Sequence, residues 1–424
     1  MNETKMIPED FRLASYAFDL PAAQVAQEPA ARRDGSRLMV VDRSVPVNGA
    51  GAVREARFAD LPDLLPPGAL LVANNSRVLP ARLFGRRPTG GRVEFLLLTP
   101  LPLIEPQQVH GEGDAPVFEA EVEGLLRASK PVRPGQQVFF GPAAADEADT
   151  GAAQDTPAPS NPSARMDIPA PLASATSAAR PAICTGASDF SLAVLSVGEF
   201  GRCSVRLRWR GDLAAQFLEL GHLPLPPYIR RPDTPADRER YQTVYADAAR
   251  TGSVAAPTAG LHFTPEIRAV LAARGFRWAE VTLYVGYGTF SPVRCADIRE
   301  HGMHREYLEV PEATAAAVRA AAAEGRPIVA VGTTSVRALE GAAQATDTRA
   351  ANLAPFLGWT DIYLYPGREF RVTGHMLTNF HLPESSLVIM VSAFAGRERI
   401  LSAYSQAIAS GFRFFSYGDS MLLL

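Results

Sequence analysis

Short runs with alternating apolar and polar positions occupy the first half of the chain, each closed by Gly or Pro. Arg92 to Leu98, Val117 to Gly124 (VFEAEVEG) and Gln137 to Phe140 read as strands, and Ala69 to Ala73 is a short apolar run of the same class. Ser191 to Val197 and Arg202 to Trp209 flank Gly198-Glu199-Phe200-Gly201, the pattern of a hairpin. Five or six such strands predict a small antiparallel barrel within residues 59–215. From about residue 212 the pattern changes to helices alternating with strands. Asp212 and Gly221 bracket one helix, and Thr264-Pro265 and Gly275 another. A strand at Arg277 to Val285, a helix from Pro311 to Glu324, a strand at Ile328 to Val331 and a helix after Gly332 follow. With an alternating strand at Arg37 to Asp42, residues 1–58 join residues 216–424. The predicted fold is an α/β body with an inserted small antiparallel β-barrel domain.

Between Gly141 and Arg180 the chain holds 13 Ala and 6 Pro and no Phe, Tyr or Trp. Such a stretch buries too little to offset its ordering entropy, so a surface insertion is expected at about 141–187.

Composition narrows the possibilities. No apolar run reaches membrane-spanning length, the first residues are acidic and polar, and three widely spaced cysteines form no CxxC pair. A cytoplasmic setting with no membrane partner is expected. The net charge of -3 excludes a surface that grips nucleic acid all over. Among the 42 basic residues only Lys5 and Lys130 are lysines, so any polyanion contact rests on arginine.

Familiar nucleotide motifs are missing: there is no GxxxxGK[ST], no GxSxG, and Gly286 to Ser291 departs from GxGxxG in its third place. Gly332-Thr333-Thr334-Ser335 opens a helix that carries Arg337, which is either an anion cradle or an ordinary cap with a solvated arginine. His301, His304 and Glu306 have the residue types of an open metal site, but they lack a supporting motif, and no metal is expected.

Six segments stand out, several of them polar loops with Gly or Pro. NNSRVLPARL, YQTVYA, GSVAAPTAGLHFT, VGTTSVRALE, TNFHLP and FRFFSYGDSML, in this order, closely resemble the S-adenosylmethionine:tRNA ribosyltransferase-isomerase family of queuosine biosynthesis. The likeness runs from about Asp10 to Leu424, the insertion excepted. Departures are mild, such as Ser76 where the family often has Thr.

The resemblance implies transfer and isomerisation of the ribosyl part of S-adenosylmethionine onto 7-aminomethyl-7-deazaguanine at the tRNA wobble position. Epoxyqueuosine-tRNA, adenine and methionine are the products. S-adenosylmethionine is then a co-substrate, no cofactor is permanently bound, tRNA is the partner, and a monomer is expected. The marked loops make His262, His381 and Asp419 candidates for proton transfer. Thr258, Gly260, Thr333, Thr334, Ser335, Arg337, Asn379 and Tyr417 are candidates for holding S-adenosylmethionine. Asn74, Asn75, Arg77 and Arg82 are candidates for holding RNA, and Arg86, Arg87 and Arg92 fall in the same basic run.

Overall fold

In a computed structural model, which describes residues 7–47, 49–109, 115–141, 190–286, 288 and 292–424, the strands sort into two main sheets. The larger has nine strands, in the spatial order Phe356–Thr360, Glu306–Val310, Arg277–Leu283, Leu70–Asn74, Ile328–Val331, His375–Asn379, Ser420–Leu423, Arg37–Val41 and Val53–Arg57. The central strands Arg277–Leu283, Leu70–Asn74, Ile328–Val331 and His375–Asn379 run parallel to one another. Ser420–Leu423 is antiparallel to His375–Asn379 and parallel to Arg37–Val41.

Continuous apolar runs such as LLVAN and IVAV suit strands covered on both faces. Leu70, Val72, Ala330 and Met376 pack into one core with the helices Glu312–Ala323, Thr333–Ala345, Ser386–Ala395 and Arg397–Ala409. Leu71, Ala73, Val329, Val331 and Leu377 face the other way, onto Phe58, Phe263 and the helix Pro265–Ala273. The predicted caps form: the Asp212 carboxylate accepts from Ala214 N–H, and the Thr264 hydroxyl from Ile267 N–H.

The second sheet is antiparallel and closes on itself. Arg202–Arg210 pairs with both Ser191–Val197 and Val117–Ala128, and the ring continues through Gln137–Phe140, Arg82–Arg86 and Arg92–Leu97. Gln107–Val109 hangs outside the ring on Val117–Ala128. Leu83, Phe95, Val122, Phe140, Val205 and Leu207 fill the interior, and Phe217 of the helix Leu213–Leu220 meets Phe190 at its end.

One expectation needs correction. Leu70–Asn74, read from sequence as the first barrel strand, lies at the centre of the larger sheet, and the barrel strands begin at Arg82. Its apolar run marks a strand covered on both faces, whereas the alternating runs that follow mark strands with one wet face. The alanine-rich insertion falls almost wholly within 142–189, outside the described residues.

Candidate active site

The sheet topology explains why polar motifs scattered over the sequence gather at one edge. Asn74, Gly332 and Asn379 stand at the carboxyl ends of three parallel strands, where open α/β sheets form their ligand crevices. Ser420 begins a strand antiparallel to His375–Asn379, and Arg37 begins its parallel neighbour. Asp419 and Ser36 therefore reach the same edge.

His262 closes the short 3₁₀ turn Thr258–His262 and is 5 % exposed. Its Nδ1 lies 2.8 Å from Ser36 Oγ, its Nε2 lies 3.2 Å from Asn379 Nδ2, and its ring packs on Phe58 at 5.1 Å. The same amide nitrogen donates to the carbonyls of Phe415 (3.1 Å) and Asp419 (3.4 Å), which fixes the orientation of the Asn379 side chain. Because that nitrogen can only donate, Nε2 is an acceptor, and the ring proton sits on Nδ1, donated to Ser36. Burial first, and then the Arg413 charge, push the His262 pKa down to about 3. The ring is neutral at physiological pH.

Asn379 Oδ1 is buried and accepts no hydrogen bond, and the same lack of a partner holds for the hydroxyls of Thr334, Thr243 and Tyr245. Orphaned buried polar atoms are uncommon in folded proteins, and each costs about 1–3 kcal/mol. These four cluster around the Thr258–His262 turn. A Cβ at Gly260 would meet Tyr245 Oη at 2.0 Å and Thr243 Cγ2 at 2.8 Å, so only glycine allows this approach. On the turn's other side, a Cβ at Gly332 would lie 3.5 Å from Ala259 Cβ and 3.6 Å from Thr334 Oγ1. The helix Thr333–Ala345 starts here with Gly332 as N-cap and no side-chain cap, so its first N–H groups face the crevice. Ser335 is not available, because its hydroxyl donates to Val331 O at 2.7 Å.

The remaining candidates separate. Thr378 and Asn379 are successive residues of one strand and point to opposite faces. His381 Nε2 lies 2.8 Å from Thr378 Oγ1 while His262 is held by Asn379, so the two imidazoles sit on opposite sides of the sheet. His381 is also buried, which lowers its pKa to about 3, and its backbone N–H donates to Tyr404 Oη. Asp419 accepts from the N–H groups of Arg37 (2.9 Å) and Arg413 (2.8 Å), with the Arg413 guanidinium 3.8 Å away. Its Oδ2 closes the turn that carries Phe415, whose φ of 73° is unusual for a bulky residue, and its Oδ1 ties that turn to Arg37. Tyr417 donates to Asp237 at 2.7 Å. Burial raises the Asp237 pKa, but hydrogen bonds from Arg231, Tyr417 and Thr234 outweigh it and hold the carboxyl below the usual range.

Arg337 is engaged through both terminal nitrogens, and only its buried Nε lacks a partner. Its guanidinium is buried in an ion pair with Glu306, whose other oxygen accepts from Gly286 N–H at 3.0 Å. Asn74 and Asn75 are also spent within the fold. Asn74 bonds both the N–H and the C=O of Leu283, and Asn75 bonds Thr282 and Glu280, stitching two central strands together. Arg82 lies 3.9 Å from Glu94 and over the Phe84 ring, whereas Arg77 is exposed. Among the described residues no three His, Cys, Asp or Glu side chains converge on a possible metal position.

A family model described as a queuosine biosynthesis protein matches residues 13–423. The chain belongs to this family. It is 55% identical over 417 residues to the S-adenosylmethionine:tRNA ribosyltransferase-isomerase of Nitratidesulfovibrio vulgaris strain DP4, covering 98% of both chains. The enzymes of the same name from Oleidesulfovibrio alaskensis and Syntrophotalea carbinolica are 54% and 42% identical, over 98% and 97% of this chain and 94% and 100% of theirs. A solved structure, S-adenosylmethionine tRNA ribosyltransferase from Thermotoga maritima, is 27% identical, covers 98% of this chain and 100% of its own, and has a TM-score of 0.45. The chain is an enzyme of the transferase-isomerase kind. No helix among the described residues is long and apolar enough to cross a membrane.

Sequence reading missed Ser36, which sits in no motif, and the individual hydroxyls of YQTVYA. The buried histidines also make a prediction about stability. Each is neutral in the fold but takes up a proton below about pH 6.5 when unfolded, so the unfolded state binds more protons. Stability is full above that pH and is expected to fall by about 1.4 kcal/mol per pH unit per histidine as pH drops toward 3. Urea titrations at about pH 7 and pH 5 should show the loss, and His381→Asn should shrink it. An unchanged slope in that variant would show that His381 is not held neutral.

Proposed function

We propose that this enzyme transfers and isomerises the ribosyl moiety of S-adenosylmethionine onto 7-aminomethyl-7-deazaguanine at the tRNA wobble position. Epoxyqueuosine-tRNA forms, and adenine and methionine leave. The observation that carries this reading is the set of buried, unpartnered polar atoms around the Thr258–His262 turn. A bound nucleoside supplies the partners they lack.

The sulfonium acidifies the 5′-carbon, which lets a base weakened by burial accept its proton. His262 fits that role: the Asn379 amide has two N–H groups for three acceptors, so with both on the carbonyls of Phe415 and Asp419 the Nε2 lone pair of the neutral ring is open to the proton. Expulsion of adenine opens the sugar, the aminomethyl nitrogen attacks, and ring closure releases methionine. In this reading Asn379 Oδ1 and the Thr334 hydroxyl bind the nucleoside, and the first N–H groups of the helix at Thr333 receive the methionine carboxylate. His381 and Asp419 position these groups and do not transfer protons themselves.

The amine is the nucleophile, so an otherwise identical tRNA with guanine at the wobble position is expected to bind but not react. Turnover of the guanine tRNA at a similar rate would overturn the reading.

A further inference from the structure

Two exposed aromatic side chains remain that neither core explains. Trp359 is 48% exposed on the edge strand Phe356–Thr360, and Phe200 is 70% exposed at the tip of the barrel hairpin. Phe200 also adopts φ 55°, a backbone conformation that bulky residues seldom take and that here supports no packing. Each ring has a guanidinium over it, Arg305 at 5.7 Å from Trp359 and Arg294 at 5.3 Å from Phe200. Both arginines are exposed, and neither makes an ion pair among the described residues. Arg250, on the same sheet face, is by contrast neutralised by Glu309.

The two ring and guanidinium pairs belong to one ledge. In the register of the edge strand, Trp359 stands opposite Tyr307, their rings 5.4 Å apart, and the Tyr284 ring follows 6.4 Å beyond. Arg305 precedes the strand Glu306–Val310, and its neighbour His304 lies against Gly288, where a Cβ would meet the His304 side chain at 2.4 Å; Arg294 lies six residues further along the chain from that glycine. The His304 carbonyl accepts from Arg337, which lies one turn inside the helix that opens the candidate active site. The ledge thus runs from the barrel hairpin across the mouth of that helix to the sheet edge.

We propose that this ledge holds the single-stranded nucleotides flanking the wobble base, with bases stacked on Trp359 and Phe200 and phosphates at Arg305 and Arg294. The inference rests on the tRNA reading above and names the surface that reading requires. Stacking on an open aromatic face, with a cation beside it, suits unpaired RNA and accepts any base. An extracted wobble nucleotide leaves such neighbours unstacked.

Binding of the substrate tRNA to the full chain and its variants tests the proposal. Trp359→Ala and Phe200→Ala are each expected to weaken binding about five- to hundredfold, and Trp359→Phe to restore most of the loss. Arg305→Ala should flatten the slope of log affinity against log salt by about 0.7. S-adenosylmethionine affinity, unchanged throughout, shows that the variants remain folded. Wild-type affinity for tRNA in the Trp359→Ala, Phe200→Ala double variant would overturn the ledge while leaving the tRNA reading intact. Failure of the wild type to bind tRNA would defeat both. Sedimentation covers the remaining occupant: a wild-type dimer that Trp359→Ala dissociates without loss of tRNA affinity would assign the sheet edge to a second copy of the chain and overturn the proposal.

Discussion

Replacing Arg337 with Ala is expected to destabilise the fold by about 3–5 kcal/mol, because it strands the Glu306 carboxylate without its counter-charge in the interior. The Glu306 side chain is 2 % exposed and that of Arg337 4 %, so water cannot replace the missing partner. Replacing both residues at once, Arg337→Met with Glu306→Gln, should recover much of the loss, since no charge then remains to be solvated. Urea denaturation measures both. A single variant within about 1 kcal/mol of wild type would show that the pair is not a stability element. The other reading of Arg337, as a residue that holds S-adenosylmethionine, predicts loss of that affinity instead, and the two effects separate cleanly. If the helix start alone receives the methionine carboxylate, a folded Arg337 variant retains its affinity for S-adenosylmethionine.

The second large effect concerns turnover. His262→Phe keeps a ring against Phe58 but removes both nitrogens, and is expected to lower kcat by about 10²–10⁴ with little change in affinity for S-adenosylmethionine. His381→Asn, on the other side of the strand, should cost stability more than turnover. Single-turnover assays with saturating substrates distinguish the two. A His262→Phe enzyme within about threefold of wild type would remove His262 from the proton transfer.

How legible these features were in the sequence depended on what set them. Strand and helix positions followed from local periodicity and caps, as at Gln137–Phe140, Ile328–Val331 and the Asp212 and Thr264 N-caps. The sheet to which Leu70–Asn74 belongs did not, because pairing with Arg277–Leu283 and Ile328–Val331 spans about 200 residues or more and leaves no mark in a five-residue window. The motifs located the crevice but did not divide labour within it. Asn74, Asp419 and Arg337 look functional for the same reason that they are structural: each is a polar side chain at the end of a strand or the start of a helix, and only its partner reveals which. Ser36 was invisible, since its role comes from a contact 226 residues away.

The central claim is that the sugar of S-adenosylmethionine, and not its methyl group, is transferred. Incubation of the enzyme with S-adenosylmethionine and tRNA bearing 7-aminomethyl-7-deazaguanine, followed by chromatography of the small-molecule products, tests it most directly. Adenine and methionine are expected in equal amounts, each matching the ribosylated tRNA formed, with no S-adenosylhomocysteine. S-adenosylhomocysteine as the main product would contradict the account.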